Sequence, residues 1–270
     1  MKFKKLFSFS DRNQIWRLLI SDSDKLIIET RNTHKKEVFF NCVDLLKGKK
    51  IFKDLQLNEK FWIGIEAVYK DIIYFHEFAK PNMPEHKKII ALDLNEQKVL
   101  WKNDDLIFLS VIDDKVYCYR KKFEGRNIFS LNYLTGEETE DMGDNPNLMN
   151  EIVQNAIGRD DYKDYKYPEI VNDNFEFEEL FNEEFGGFAS INKVEQISFE
   201  GHLFFNYHVK NNNNLLDNKF AVYNIEKKKK VISDTLNRNL NSFSPDSFFL
   251  YKRFLILLKN RAEIICYKLS

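Results

Sequence analysis

Hydrophobic positions along the chain fall in short runs that are rich in Ile, Phe, Tyr and Val and are separated by polar turns. Runs of this length and composition predict β-strands rather than helices. A basic residue followed by two apolar residues recurs at strand starts, and the recurrences are Lys5-Leu6-Phe7, Lys50-Ile51-Phe52, Lys98-Val99-Leu100 and Lys230-Val231-Ile232. The first two intervals are 45 and 48 residues, which indicates an internal repeat.

Each internal copy of this triplet follows a strand that ends in Asp or Asn, at Asp44, Asp93 and Asn224. A further copy carries Asn132 and lacks the basic triplet. Two more apolar runs precede each of these strands, so one repeat holds four strands in about 43 residues, the size of a β-propeller blade. The sequence therefore predicts an all-β fold, a five-bladed β-propeller, with six blades as the alternative if residues 144–190 contain another one.

The two ends of the chain predict how such a ring closes. The last repeat stops after its third strand, "AEIICYKLS", and the first residues, "KKLFSF", have the pattern of a fourth strand without a blade. We therefore expect residues 4–9 to pair with the final segment. Pairing of the two ends removes open sheet edges, which otherwise promote aggregation.

The strand–turn–strand pattern in "ALDLNEQKVLW" resembles the repeats of quinoprotein-type propellers. That resemblance covers most of the chain and implies the fold alone, because those enzymes have about eight blades and a calcium-and-quinone site, and the sequence contains no such acidic site. The chain also resembles a small bacterial family of single-propeller proteins with no assigned function. Neither resemblance assigns functional residues, since one fold supports many functions.

Residues 144–190 fit no repeat and predict a helical insertion within one domain that spans 1–270. In "DNPNLMNEIVQNAIG", Asn145 suits a helix N-cap, Pro146 the first helical position and Gly158 the C-terminal exit. A second helix is predicted at 175–187, although Phe175 and Phe177 also fit an alternating strand. The insertion has a net charge of −9 and the rest of the chain +8. We expect it to pack as an acidic flap over a basic face.

Composition favours a cytoplasmic protein. The three cysteines, Cys42, Cys118 and Cys266, are far apart in sequence and each lies in an apolar run, which suggests buried free thiols in a reducing compartment. The apolar stretch at the start of the chain ends at Asp11, too early for a signal peptide, and no run is long enough for a transmembrane helix.

Patterns for known catalytic and cofactor sites are missing from the sequence. It contains no G-x-S-x-G, no P-loop and no G-x-G-x-x-G, and Cys118 has no evident histidine partner. The histidines have no recognised metal-ligand spacing, so structural or solvated roles are favoured, and no metal or cofactor is predicted. These histidines are His34, His76, His86, His202 and His208.

Some five-bladed propellers are glycosidases, which use paired carboxylates. Candidate carboxylates on or beside the first strand of each repeat are Glu66, Asp113, Glu195, Glu200 and Asp246. Several fall at strand ends, where acidic residues are ordinarily solvated turn residues. Two of them close together, with one strongly raised pKa, would favour catalysis instead.

Loops between the second and third strands of the repeats are basic. Eight of their residues form a candidate binding surface, the basic rim: His34, Lys35, Lys36, His86, Lys87, Lys88, Lys121 and Lys122. A sequence pI of about 6.6 argues against nucleic acid as the partner. We predict a monomeric, non-enzymatic protein-interaction module. The alternative is a ligand-binding or hydrolytic, glycosidase-like propeller with a pocket under the 144–190 flap.

Overall fold

A computed structural model describes residues 1–79, 85–157, 162–171 and 193–270 of the chain. These residues form twenty-two β-strands and one α-helix, so the predicted all-β class is confirmed. They divide into two compact units, of which unit 1 comprises residues 1–12 and 162–270 and unit 2 comprises residues 13–161. Among the described residues, no helix is long and apolar enough to cross a membrane.

Unit 2 contains three four-stranded antiparallel sheets, each with its strands in chain order. The first sheet is β2 (Gln14–Ile20), β3 (Lys25–Asn32), β4 (Glu37–Asp44) and β5 (Lys49–Leu55). The second is β6 (Ile63–Tyr69), β7 (Ile72–Phe78), β8 (His86–Asp93) and β9 (Lys98–Asn103). The third is β10 (Ile107–Ile112), β11 (Lys115–Lys121), β12 (Arg126–Asn132) and β13 (Glu138–Gly143), followed by the helix α1 (Pro146–Ile157).

Unit 1 contains two five-stranded antiparallel sheets. One sheet has the order β15 (Glu169–Val171), β16 (Val194–Phe199), β17 (His202–Lys210), β18 (Leu216–Asn224) and β19 (Lys229–Leu240). The other has the order β1 (Phe3–Ser10), β22 (Glu263–Leu269), β21 (Phe254–Lys259), β20 (Phe248–Tyr251) and β14 (Tyr165–Lys166).

The predicted pairing of the two chain ends is confirmed. β1 lies antiparallel to β22, with Phe3 opposite Leu269 and Phe9 opposite Ile264. Phe9 is 2% exposed, so the N-terminal strand contributes to the core of its sheet as well as to its edge. The last sheet thus takes its outer strand from the opposite end of the chain.

The recurring Asp or Asn at the end of each third strand has a common structural role. Its side-chain oxygen accepts a hydrogen bond from a backbone N–H two or three residues later, at distances of 2.7–3.1 Å, for Asp44, Asp93, Asn132 and Asn224. These are Asx turns, in which a short polar side chain replaces a backbone acceptor. The repeat in the sequence therefore encodes the same turn four times, between the last two strands of a sheet in chain order.

A β-bulge recurs in the first strand of every sheet of unit 2. The pairing shifts register between Ile15 and Arg17 in β2, between Ile65 and Ala67 in β6, and between Phe108 and Ser110 in β10. The residues inserted at these bulges are Trp16, Glu66 and Leu109. A bulge re-aims the side chain of the inserted residue. In two of the three sheets the re-aimed side chain enters the pocket described below.

The first predicted helix of the insertion is confirmed as α1. Asn145 caps it, since its side-chain oxygen accepts a hydrogen bond from the Leu148 amide at 3.1 Å. Ile152 is buried, and the helix packs against β10 of the same unit. The Arg126 guanidinium, in the basic β11–β12 segment, lies 3.6 Å from the Met149 sulfur. The second helix predicted at 175–187 lies outside the described residues, as does Gly158.

Residues 162–171 join the two sheets of unit 1 rather than forming another sheet. β14 pairs with β20, and β15 pairs with β16. Tyr165 stacks on Tyr167 with ring centroids 5.8 Å apart, and it packs on Tyr251 at 4.9 Å. These tyrosines anchor the segment to the sheet, and no sixth sheet occurs within the described part of the chain.

Candidate functional site

A pocket of about 590 Å³ opens in unit 2, between the sheet β2–β5 and the sheet β6–β9. It lies at the end where β3 meets β4 and where β7 meets β8, the end that carries two of the predicted basic loops. Its lining combines aromatic side chains with ionisable ones. Thirteen residues line it, among them Trp16, Glu29, Arg31, Phe61, Trp62, Glu66, His76, Phe78 and His86.

Three side chains in this pocket converge on one point. The Nδ1 atom of His86 lies 2.7 Å from Glu66 Oε1 and is hydrogen-bonded to it. The Nδ1 atom of His76 lies 3.1 Å from the same oxygen, without the alignment of a hydrogen bond. The two imidazole rings are stacked, with centroids 3.5 Å apart and planes inclined by 7°. Donor atoms of all three side chains lie within 4.8 Å of one another.

Sheet topology explains this convergence. Glu66, His76 and His86 lie ten residues apart on β6, β7 and β8, which are adjacent strands of one sheet. Glu66 is the bulged residue of β6, and β8 carries its own irregularity opposite the Phe75–Glu77 stretch. These two distortions turn side chains of neighbouring strands toward a common position.

Gly64 leaves room for the His76 ring. The two residues lie opposite each other in the β6–β7 pairing. A Cβ atom at position 64 would lie 2.9 Å from His76 Cε1 and 3.0 Å from His76 Nε2, too close without a shift of the ring. The glycine therefore allows the imidazole to lie directly on the backbone of β6.

Burial and the two histidines act in opposite directions on Glu66. Burial alone would raise the pKa of this carboxyl, but its interactions with His76 and His86 outweigh burial, and the pKa is lowered. Glu66 is therefore a carboxylate at neutral pH, held between two imidazoles. His76 is 4% exposed, and neither of its ring nitrogens has a hydrogen-bond partner within the described structure.

A buried ion pair forms the adjoining wall of the pocket. Arg31 Nε donates to Glu29 Oε1 at 2.6 Å, and both residues are buried. The same guanidinium donates through Nη1 to the Phe61 carbonyl at 3.1 Å and through Nη2 to the Ile63 carbonyl at 2.6 Å. Arg31 therefore connects the first sheet to the start of the second, and its charge is neutralised by Glu29.

Aromatic side chains complete the mouth of the pocket. The Arg31 guanidinium lies 5.5 Å from the Trp16 ring and 5.6 Å from the Phe61 ring, within cation–π range. Trp62 packs edge-on to Phe78 with centroids 6.2 Å apart. Trp16 is 55% exposed although it borders this pocket. An indole at a pocket mouth is the kind of residue that dominates binding interfaces.

The structure places the basic rim around this pocket and beyond it. His86 lies inside the pocket, and Thr33, next to the exposed His34, Lys35 and Lys36, lines it. Lys87 is also exposed. The remaining three are engaged within the chain: Lys88 with Glu77 and Asp104, Lys121 with Glu85, and Lys122 with Asn127. Whether the rim binds anything stays a prediction.

Buried histidines in unit 1 have structural roles. His202 Nε2 lies 2.8 Å from the Asn224 side-chain nitrogen. His208 is fully buried, and its Nε2 accepts hydrogen bonds from the Asn218 side chain and the Ser244 amide, both at 3.1 Å. Burial lowers the pKa of His208 to about 4. The three cysteines are likewise buried and free, and burial raises each thiol pKa to about 12.

The candidate catalytic carboxylates other than Glu66 are not gathered in a described pocket. Asp113, Glu200 and Asp246 are exposed, and Glu200 forms an ion pair with Arg253. Glu195 is buried next to Asp246, and burial raises its pKa. Both Glu195 oxygens accept hydrogen bonds from protein donors, the Asn206 side chain and the Asp246 amide. This carboxyl therefore has a structural environment.

Sequence reasoning missed the combination of Glu66, His76 and His86. It treated Glu66 as a possible catalytic carboxylate, His76 as structural and His86 as part of the basic rim. The spacing of these residues could have indicated the cluster, because residues ten positions apart in a strand–turn–strand pattern lie on neighbouring strands. Known metal motifs are short and local, so this wider spacing did not match them.

Part of the chain matches a protein family of unknown function. Residues 20–101 match the model of a family described as a domain of unknown function (DUF4905). The matched segment contains Glu66, His76 and His86, and it covers less than half of the chain. No curated protein matches the sequence.

Solved structures similar to the chain include two that differ greatly from it in sequence. One is "KlHsv2 with loop 6CD replaced by a Gly-Ser linker", at 10% identity over 91% of this chain and 75% of that one, with a TM-score of 0.29. The other is the Dos1 propeller, at 9% identity over 94% of this chain and 68% of that one, with a TM-score of 0.32. TM-scores this low do not assign a fold.

Proposed function

We propose that this protein is a monomeric, cytoplasmic five-bladed β-propeller that acts as a non-enzymatic binding module. In this proposal each of the five sheets is a blade, and β1 closes the ring by supplying the outer strand of the last blade. The four-stranded repeat, the three sheets of unit 2 with their strands in chain order, and the pairing of β1 with β22 support it. The binding surface is the end of unit 2 where the pocket opens.

The observation that carries the binding role is an exposed aromatic side chain fixed at the mouth of a pocket. Trp16 is 55% exposed, and Arg31, itself anchored to Glu29 and to two backbone carbonyls, lies against its ring. A rigid, exposed indole loses little conformational freedom on binding, which is why tryptophan is frequent among residues that dominate interface energy.

Charge around the mouth indicates the chemistry of the partner. His34, Lys35, Lys36 and Lys87 are exposed, and no ion pair is found for them among the described residues. The partner is therefore a protein segment in which acidic residues flank one large apolar side chain. The apolar side chain enters the pocket beside Trp62 and Phe78, and the acidic residues face the lysines.

Selection from a random peptide display library on immobilised protein tests this function. We expect enriched peptides to combine acidic residues with a large aliphatic or aromatic one. Trp16→Ala should weaken their binding at least tenfold, about 1.4 kcal/mol or more, because an anchoring contact is lost. Lys35→Ser with Lys36→Ser should slow association and reduce its dependence on salt.

Leu46→Ala is the matched control. Leu46 is 56% exposed, close to the 55% of Trp16, and it lies in the β4–β5 turn at the opposite end of the same sheet. Peptide affinity for this variant should equal that of the unmodified protein. Failure to enrich any peptide, or enriched peptides that bind Trp16→Ala as tightly as the unmodified protein, would overturn the proposed function.

A further inference from the structure

The wall of the pocket carries a stack of His76 and His86 beside Glu66. Two parallel imidazoles 3.5 Å apart direct their Nδ1 atoms to the same carboxylate oxygen. Only the contact from His86 has hydrogen-bond geometry. His76 is thus buried with its Nδ1 near Glu66 and with no hydrogen bond to either ring nitrogen, a state that costs free energy in the absence of a ligand.

We propose that Glu66, His76 and His86 form a binding site for a divalent transition-metal ion, with Zn²⁺ as the ion used to test it. Two imidazole nitrogens and one carboxylate oxygen are a donor set that suits Zn²⁺ and neighbouring divalent ions. The three donors line the same pocket as Trp16, but the proposed peptide binding depends on Trp16 and the lysines rather than on a metal ion.

Distances among the donor atoms fit such an ion. With metal–ligand bonds of about 2.0 Å, tetrahedral ligands lie roughly 3.3 Å from one another. The two nitrogen–oxygen separations are 2.7 and 3.1 Å, and all three donors lie within 4.8 Å. Two parallel stacked rings cannot both direct an in-plane nitrogen lone pair at one ion, so binding requires the two imidazoles to splay apart. The cation then replaces the single histidine–carboxylate hydrogen bond.

The surrounding charges permit a cation at this position. Glu66 supplies a negative charge, and its lowered pKa keeps it ionised at neutral pH. Arg31 is paired with the buried Glu29, and Arg17 donates to the Ile65 carbonyl, so both guanidinium groups are already engaged. The pocket leaves space for water or a ligand oxygen in the remaining coordination position, which is typical of open rather than closed metal sites.

Placement of the three residues supports a built site. Gly64 makes room for the His76 ring, and Phe78 contacts both imidazoles edge-on, with centroids 5.0 Å from His76 and 5.3 Å from His86. Both histidines are therefore oriented by packing before any ion binds. Placement on neighbouring strands keeps the three donors close together, which reduces the conformational freedom lost when they bind a metal.

Titration of the full chain with Zn²⁺ tests the site, with binding measured by isothermal titration calorimetry on protein without a polyhistidine tag. We expect one saturable high-affinity site per chain. His86→Asn and Glu66→Gln should each weaken binding at least tenfold. His34→Asn, which removes an exposed histidine from a loop at the same end of unit 2, is the matched control and should leave the affinity unchanged.

A second measurement needs no substitution. Diethyl pyrocarbonate modifies accessible imidazoles, and mass spectrometry locates the modified residues. Zn²⁺ should slow modification of His86 at least tenfold and leave that of His34 unchanged. Equal protection of both histidines, no protection of either, or equal Zn²⁺ affinity in His86→Asn and the unmodified protein would overturn the proposal.

Discussion

His76 and His86 lie face to face, with ring centroids 3.5 Å apart, although ten residues and a strand reversal separate them in the chain. Their common neighbour is Glu66, on the strand next to that of His76. One local feature makes the arrangement possible, the absence of a side chain at Gly64.

Gly64→Ala tests that dependence directly. The added Cβ would lie 2.9 Å from His76 Cε1, so the imidazole ring must shift. We expect the free energy of unfolding to fall by about 1–3 kcal/mol, the usual cost of overpacking. Chemical denaturation measures this change.

The control for this prediction is the double variant Gly64→Ala with His76→Ala. Once the imidazole is removed, the alanine at position 64 meets no ring, so its cost should be smaller than in the presence of His76. Equal costs in both backgrounds would show that the contact with His76 does not constrain position 64.

The buried pair of Glu29 and Arg31 predicts an asymmetric effect of substitution. Arg31→Met leaves the Glu29 carboxylate buried without its partner and frees the Phe61 and Ile63 carbonyls. We expect a loss of about 3–5 kcal/mol in unfolding free energy. Glu29→Gln combined with Arg31→Met should be more stable than Arg31→Met alone, because no uncompensated charge remains.

Urea unfolding of the unmodified protein, Arg31→Met and the double variant checks this prediction. Trp16→Ala is a useful companion, since Trp16 contacts the same guanidinium from the solvent side and should affect stability much less. A double variant as unstable as Arg31→Met would mean that the loss comes from the backbone contacts rather than from the charge of Glu29.

Burial of His208 predicts a dependence of stability on pH. Its pKa in the folded protein is about 4, against 6.5 as its ordinary value, so protonation favours the unfolded state. Above pH 6.5, His208 is neutral in both the folded and the unfolded protein and has no effect on the pH dependence of stability. As the pH falls from 6.5 toward 4, the histidine becomes protonated in the unfolded protein first, so the free energy of unfolding decreases. At pH 5 this amounts to about 2 kcal/mol relative to pH 8.

Comparison of the protein with His208→Gln isolates this contribution. A glutamine oxygen at this position can accept the hydrogen bonds from Asn218 and Ser244 without titrating. The difference in unfolding free energy between the two proteins should therefore shift in favour of the variant between pH 8 and pH 5. A difference that stays constant would contradict the assignment, whatever other carboxyl groups contribute to both proteins.

The N-terminal strand should be essential to its sheet. Phe9→Ala removes a side chain that is 2% exposed and lies opposite Ile264 on β22, so we expect a loss of about 3–5 kcal/mol. Lys5→Ala, on the exposed side of the same strand, is the control and should change stability by less than about 0.5 kcal/mol. Equal stability of Phe9→Ala and the unmodified protein would show that β1 is not required.

Sequence reasoning recovered the all-β class and the repeated four-stranded sheets because each repeat carries the same signals. The Asp or Asn at positions 44, 93, 132 and 224 marks the same turn, and apolar runs mark each strand. The N-terminal partner of β22 could be inferred because the last repeat lacks a strand. α1 was recognisable from Asn145 and Pro146, which are local signals.

The pocket could not be predicted in the same way. Its composition depends on bulges at Trp16 and Glu66, and a bulge shifts every later side chain by one position. Alternation in the sequence does not show where a bulge occurs. The hydrogen bonds from Arg31 to the Phe61 and Ile63 carbonyls also cannot be predicted from the sequence, because every residue has a backbone carbonyl.

The role of the pocket mouth as a binding surface is tested most directly by the three tryptophans. Trp16 and Trp62 line the pocket, whereas Trp101 is buried and donates its indole N–H to the Tyr133 carbonyl at 3.1 Å. In ¹H–¹⁵N spectra, a selected acidic peptide should shift the indole signals of Trp16 and Trp62 and leave that of Trp101 in place. Binding that shifts only Trp101, or none of the three, would contradict the account.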